Sequence, residues 1–171
     1  GRMLRAKKHS VLADITAGAV GRRLTETVEF IGHRYTLKSL TPRLSDWVNE
    51  QGLRGSAGTI TGFSLAARKP RVAAALSAVD DVPVEQVFAL PEAVTDDDKA
   101  TLSGILADPI RLENWRRDEI LLWLGSDECD EALVEALSDG YHKIVQRERA
   151  ALEALAKDAP SPLANSTPSK T

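Results

Sequence analysis

Apolar residues recur every three or four positions over most of this 171-residue chain, which is the spacing of helices that bury one face. The clearest such segment is 127–157, where the stripe extends from Leu133 to Leu155. At 1.5 Å per residue, a helix of this length reaches roughly 45 Å. After Val145 the segment becomes charged and rich in alanine, so we expect its end to project or to pair with a second chain.

A different pattern, alternation of apolar and polar residues, marks the segment 27–40 and predicts a β-hairpin. A two-residue loop at Gly32-His33 makes the turn agree with the pattern, because the apolar side chains of both strands then share one face. An isolated hairpin is marginally stable, so this face is expected to pack against the helices. The opposite pairs predicted by this loop are Phe30 with Tyr35 and Val28 with Leu37.

Caps, prolines and glycines mark the boundaries of the other helices. Thr41-Pro42 and Asp108-Pro109 each place a capping side chain before a proline that suits the first helical turn. Further signals are Thr95 or Asp96 as a cap, Gly52 and Gly125 as helix ends, and Ser126 as the cap of the last helix. The helices predicted in this way cover 42–52, 60–68, 70–79, 84–88, 96–107, 109–124 and 127–157, with Pro70 kinking or restarting the second.

These elements predict a mainly α fold: a helical domain with a small N-terminal β-hairpin and a long C-terminal helix. We divide the chain into a basic N-terminal arm at 1–25, a single α-rich domain at 26–157, and a flexible tail rich in proline and serine at 158–171. A chain of this size buries roughly 70% of the surface that its unfolded form exposes, which is enough for a core without disulfides.

The charge is distributed unevenly, although the net charge of −3 is close to balance. Residues 1–23 carry six Lys and Arg side chains against Asp14 alone, a total of +5, which leaves −8 for the remainder. Such an arm either keeps a loose segment soluble or contacts the phosphates of a nucleic acid. The net charge of the whole chain is close to zero, which favours the first interpretation, a loose segment kept soluble by its charges. The cationic residues are Arg2, Arg5, Lys7, Lys8, Arg22 and Arg23.

The common signatures of catalysis and metal binding are absent: the chain has no GxGxxG, GxxxxGKS/T, GxSxG, HExxH or CxxC motif. The carboxylates at 96–98 are interpreted as a helix cap, since neighbouring side chains on a helix diverge. Cys129 lies among acidic residues and is interpreted as structural, in a reducing compartment. We therefore expect no enzymatic activity, cofactor or metal site. No run of apolar residues approaches the roughly 18 that a membrane span needs, so no membrane-spanning helix is expected.

The three tryptophans each have aliphatic neighbours at helical spacing and are expected in the core. Trp115 also stands beside Arg116 and Arg117, so it is the one expected to be partly exposed and to act as a binding anchor. Together with the stripe of the last helix, it gives a candidate partner-binding surface. The residues of this surface are Trp115, Arg116, Tyr141, Ile144, Val145, Leu152 and Leu155.

Three stretches of the chain together resemble one family of viral proteins. They are Phe30–Thr41, a strand pair that ends in Leu-Thr before a helix with Trp47; Arg68–Leu76 with the acidic turn of Val79–Val84; and the helices that hold Trp115 and Tyr141. Over about residues 26–150 this order is similar to tailed-bacteriophage tail assembly chaperones and related small tail or baseplate assembly proteins. The likeness rests on pattern and not on a signature residue.

The resemblance implies a non-enzymatic role in tail or baseplate morphogenesis, through protein–protein binding. It implies partners among viral structural or assembly proteins, such as tape-measure or baseplate components. The protein would be located in the host cytoplasm during assembly, and the virion is a second expected location. The C-terminal helix also offers a route to homo-oligomers, whereas neither a membrane nor a nucleic acid is an expected partner. The alternative interpretation is a small nucleic-acid-binding regulator that uses the basic arm.

Overall fold

The computed structural model describes residues 10–15 and 23–158, and it places four strands in one antiparallel sheet of order β1-β2-β3-β4. Residues 10–15, within the predicted arm, form a short helix. The rest of the arm at 1–9 and 16–22, and the tail at 159–171, lie outside the described residues. The strands are β1 (Thr25–Phe30), β2 (His33–Lys38), β3 (Leu76–Val79) and β4 (Val82–Pro83).

All other elements of the described part are helices, so the predicted mainly α fold with an N-terminal hairpin and a long C-terminal helix is confirmed. The sheet is larger than predicted, because two short strands extend the hairpin. The helices are α1 (Pro42–Gly55), α2 (Ile60–Ala75), α3 (Val84–Val87), α4 (Asp96–Ala107), α5 (Pro109–Leu124) and α6 (Glu131–Asp158).

The hairpin forms as predicted but in a different register. Its loop is Ile31-Gly32, with φ of +44° and +77°, and Val28 lies opposite Tyr35. A loop with positive φ at both positions matches the right-handed twist of the strands, and glycine accepts that conformation at little cost. The predicted loop at Gly32-His33 was therefore wrong by one position in the chain. As a result, Val28 pairs with Tyr35 and not with Leu37. This shift of two residues keeps the apolar side chains of both strands on one face.

Residues 76–79, predicted as the end of a helix, instead form strand β3. Asp80 and Asp81 have φ of +51° and +64° and close a two-residue turn, across which Val79 pairs with Val82 of β4. The other edge of β3 pairs with β2. The helical prediction was wrong here because backbone partners on both edges override the local preference of a short segment.

Helices α1 and α2 follow each other in the chain and pack closely against each other. A Cβ atom at Gly52 of α1 would lie 2.6 Å from the ring of Phe63, so the absence of a side chain makes room for that ring. Gly52 therefore serves packing, and α1 continues to Gly55 instead of ending at Gly52 as predicted. Pro70 does not restart a helix, because α2 runs through it from Ile60 to Ala75.

Side-chain caps begin three helices where the sequence predicts them. Thr41 and Asp108 each accept a hydrogen bond from a first-turn amide, ahead of a proline. Thr95 and Asp98 form a capping box, with bonds of 3.1 Å from the Asp98 amide and 3.0 Å from the Thr95 amide. Hydrogen bonds to the Asp98 carboxylate, first of all the one from the Thr95 amide, lower its pKa. The cap interpretation of the carboxylates at 96–98 is thus confirmed for Asp98.

The last helix begins later than predicted. Ser126 does not cap it, because the helix starts five residues later at Glu131, and Ser126 lies in a turn where its carbonyl accepts from the Cys129 amide at 3.3 Å. The Asp130 carboxylate instead accepts from the Ala132 amide at 2.9 Å, and the helix starts at Glu131. Asp130 has the side chain and the position of an N-cap.

The core lies where α6 packs on the hairpin face and on α2. Gly140 of α6 allows this close approach: a Cβ atom there would lie 2.5 Å from Cγ2 of Val28 and 3.0 Å from Cδ1 of Leu37. Real side chains do not approach to such distances, so the helix needs glycine at this point. The side chains with no exposed surface come from all of these elements and include Leu37, Val72, Leu137 and Ile144.

Gly140→Ala is expected to lower the free energy of unfolding by about 1–3 kcal/mol, since the added methyl group overpacks the interface with β1 and β2. This loss occurs although alanine favours a helix over glycine by about 1 kcal/mol. Urea denaturation measures the change.

Gly104→Ala in α4 is the matched control. There the nearest atom to an added Cβ is Nη1 of Arg111 at 3.0 Å, the end of a flexible side chain. This variant should equal the parent or exceed it by up to about 1 kcal/mol. Equal effects of the two substitutions would contradict the close approach at Gly140.

Candidate functional site

Helix α6 has a part that the rest of the molecule covers and a part that it does not. Ile144 is wholly buried, and the Arg147 guanidinium donates to the Thr25 carbonyl at 2.8 Å and to the Glu26 carboxylate at 3.3 Å. From 149 to 157 every residue is exposed. The contacts of α6 with the described body therefore end near Arg147, and the following turns of the helix project from it.

The apolar stripe of α6 continues beyond the covered part. With 3.6 residues per turn, Leu152 and Leu155 lie within about 80° of Leu137 and Ile144 around the helix axis. Leu152 and Leu155 expose 65% and 56% of their surface, whereas Leu137 and Ile144 expose none. The same face is thus core in the first half and exposed in the second. We call Val145, Leu152 and Leu155 the uncovered stripe.

The residues predicted on α6 fall into two groups. Leu152, Leu155 and the half-buried Val145 are accessible. Ile144 belongs to the core instead, because the sheet covers its position on the helix, and it is removed from the candidate surface. Tyr141 is half-buried against the core, and burial raises the pKa of its hydroxyl.

Trp115 and Arg116 lie on α5, which packs against α2 and α4. Both are half-buried, as predicted for Trp115, but the structure places Arg116 in a separate cleft to which α6 contributes no residue. The sequence-predicted surface therefore divides between two regions. The prediction that the other tryptophans are in the core is confirmed for Trp47, which is buried. Trp123 is half-buried against the core, where it packs edge-to-face on Phe88 with ring centroids 5.8 Å apart.

The cleft that holds Arg116 has a volume of about 470 Å³ and lies between α1, α5, and the junction of α2 with β3. Two carboxylates, Glu85 and Glu113, line it together with a larger number of cations, so its formal charge is +3. We call it the basic cleft. The cationic residues that line it are Arg23, Lys38, Arg43, Arg116 and Arg117.

Arg117 is the deepest cation of the basic cleft, with 8% of its surface exposed. Its guanidinium carbon lies 5.2 Å from the centre of the Trp47 ring, its Nη2 donates to Asn114, and its Nη1 lies 3.8 Å from the Glu113 carboxylate. Burial lowers its pKa, although an arginine remains charged at neutral pH. The ring and these polar atoms hold the charge in a place where water is largely excluded.

Two guanidinium N–H groups of the basic cleft are left without an acceptor. The Nε atoms of Arg116 and Arg117 are both buried and unpaired in the described part of the chain. A buried donor without an acceptor costs about 1–3 kcal/mol. Glu113 is already engaged by Arg43 and Arg117, so it does not supply the missing acceptor.

The rim of the basic cleft comes from residues far apart in sequence. Arg23 is held there by two hydrogen bonds from its guanidinium to the Ser39 carbonyl, at 3.1 Å and 2.7 Å. Lys38 and Arg116 form no ion pair with the described residues. Arg23 belongs to the predicted arm and Lys38 is not among the predicted site residues, because nothing in the local sequence signals that the two meet.

A second polar cluster joins the two tight turns at one end of the sheet. The Asp80 carboxylate receives the Arg34 amide at 2.8 Å and lies 2.6 Å from Nδ1 of His33. The hydrogen bond with His33 is the main reason why the pKa of Asp80 is lowered. Arg34 also pairs with Asp81. These contacts fasten β2 to the turn that follows β3, which is a structural role.

Signs of metal chemistry and of a membrane span were sought in the described ranges 10–15 and 23–158. No three His, Cys, Asp or Glu side chains come together there in a way that could hold a metal ion. None of the helices in these ranges combines the length and the apolar content that a bilayer crossing requires. Burial raises the pKa of the Cys129 thiol, and the nearby Asp130 carboxylate raises it further, so both disfavour the thiolate.

Comparisons with known proteins identify no relative of this chain. No protein-family model matches it, and neither does any curated protein or any solved structure. The surfaces that bear on function are the two described above, the uncovered stripe and the basic cleft.

Replacement of Asp80 tests the turn cluster. Asp80→Asn should destabilise the protein at neutral pH by removing the charge that faces His33, and Asp80→Ala should destabilise it more, because alanine tolerates the φ of +51° less well than asparagine. Because folding lowers the pKa of Asp80, its contribution is present above the ordinary value of 3.8 and is lost as pH falls through the depressed value.

Thermal unfolding from pH 7 downward checks this order. The gap between the parent and Asp80→Asn should be present at neutral pH and should close in acid, as pH falls through the depressed pKa of Asp80. A gap that stays open after the carboxylate has been protonated would show that Asp80 does not act through its ionised form.

Proposed function

We propose that this chain is a non-enzymatic bacteriophage tail or baseplate morphogenesis protein that binds a helix of another tail component over its uncovered stripe. The observation that supports the proposal is the continuation of the core stripe of α6 onto exposed Leu152 and Leu155. A face that is apolar beyond the end of its own core is suited to a partner that completes the core.

The energetics favour such a partner. Full burial of a leucine side chain contributes about 1.5–3 kcal/mol, so Leu152 and Leu155 provide two strong apolar anchors. The projecting turns at 149–157 are exposed at every position, and a helical segment of this length is marginal in water. A partner that covers the stripe therefore also stabilises the helix that carries it.

The charges beside the stripe favour a helical polypeptide as the partner. Arg149 lies at the edge of the stripe, and Glu153 and Lys157 follow it at intervals of four residues toward the opposite side, so cations and an anion alternate along the projecting turns. Mixed charges beside an apolar seam are typical of paired helices, where they select the partner and its orientation. A polyanion such as a nucleic acid would gain little from this end of the helix, because the formal charges of Glu148, Arg149, Glu153 and Lys157 cancel.

The bacteriophage context rests on the pattern of the hairpin, the Trp47 helix and the acidic turn near Asp80, which resembles small tail assembly proteins. In that context the partner is a tape-measure or baseplate component. The protein then acts stoichiometrically in the host cytoplasm during assembly.

The double substitution Leu152→Asp with Leu155→Asp should reduce binding of the tail partner at least tenfold, because two charges replace the apolar anchors. A tenfold loss corresponds to about 1.4 kcal/mol. Affinity purification of the tagged full chain from infected cells, with mass spectrometry of the bound proteins, identifies the partner. Titration of that partner then gives the affinities.

Ala150→Asp with Ala154→Asp is the matched control, since it adds the same two charges to the same exposed segment on the other side of the helix. This variant should bind as the parent does, and all three proteins should unfold at similar temperatures. Equal losses in both variants would contradict a stripe-specific contact. A dimer of this chain that only the leucine variant disrupts would replace the tail partner with a second copy.

A further inference from the structure

The basic cleft carries an excess of positive charge in a partly enclosed space that the uncovered stripe does not share. Its lining includes five cations against two carboxylates. One of these carboxylates, Glu113, is already paired with Arg43 and close to Arg117. Lys38 and Arg116 remain without an anionic partner in the described chain, so the cleft has charge available for a ligand.

The burial of Arg117 shows that this charge is built into the fold and is not a solvated surface feature. Arg117 is more than nine-tenths buried, stacked on Trp47, and its Nε–H has no acceptor. The neighbouring Arg116 repeats the feature with its own buried, unpaired Nε. Guanidinium groups engage oxyanions through two parallel N–H bonds, so two guanidinium groups that line one cleft match a ligand with several anionic oxygens.

The size and charge of the cleft narrow the ligand class. A formal charge of +3 suits a dianion better than a single carboxylate. A volume of about 470 Å³ lies within the range of small-molecule sites and would not admit a nucleic-acid duplex. Most of the negative charge of the chain also lies outside the arm, which disfavours a long polyanion.

We propose that the basic cleft is a binding site for a phosphate group, carried by a small molecule or free in solution, with Arg116 and Arg117 as its principal ligands and Lys38 at its rim. The site is independent of the partner helix, because α6 does not line it.

Isothermal titration of the full chain with inorganic phosphate and with glycerol 3-phosphate, at constant ionic strength in chloride buffer, tests the proposal. At least one of the two should bind saturably with a stoichiometry of one, and tighter binding of the ester would identify a small organic phosphate as the natural occupant. Arg116→Gln should weaken the binding at least tenfold. Arg149→Gln removes an exposed cation of α6 outside the cleft and should leave binding unchanged.

Arg117→Gln is expected to disturb the fold around Trp47, so the half-buried Arg116 is the residue to vary, with circular dichroism as the check of folding.

The absence of saturable binding by either phosphate would overturn the proposal. Equal weakening in Arg116→Gln and Arg149→Gln would do the same, because it would indicate general charge attraction. A short single-stranded oligonucleotide that binds more tightly than both phosphates, and depends on Arg116, would assign the cleft to nucleic acid and also overturn it.

Discussion

The close approach of α6 to the sheet at Gly140 is the contact on which the rest of the architecture depends. A glycine in a helix interior costs conformational entropy, yet here it lets the helix axis approach Val28 and Leu37. The leucine and isoleucine side chains of α6 on either side of this point then fill the space between the sheet and α2. The position of Gly140 in the sequence thus sets where along α6 the body is centred.

Because the body is centred there, it ends well before the helix does. The contacts of Arg147 with β1 mark this limit, and the apolar stripe extends beyond it to Leu155. The basic cleft arises on a different side, where α5 lies against α1 and the end of α2. One packing arrangement therefore leaves two distinct surfaces: an apolar one suited to a helix and a cationic one suited to a small anion.

The sequence predicted those features that local chemistry determines. Caps at Thr41, Thr95 and Asp108 and the apolar face of the hairpin are of this kind. Strand β3 was missed, since a helix-favouring segment becomes a strand only through its pairing with β2 and β4.

The site was predicted in part. Leu152 and Leu155 follow from periodicity. The burial of Ile144 depends on where the body ends along α6, and periodicity carries no information about that. The basic cleft was missed because its cations come from separate elements. The bacteriophage assignment stays a prediction.

The division of α6 into a covered and an uncovered part is the central claim, and amide hydrogen exchange of the isolated full chain tests it most directly. Exchange should be slow through the helix up to about Ile144, where side-chain packing protects the backbone, and fast from 149 onward, where the helix has no packed neighbour in the described body. Slow exchange that continues unchanged to 157 in the monomer would show that the chain itself covers the stripe, and it would contradict the account.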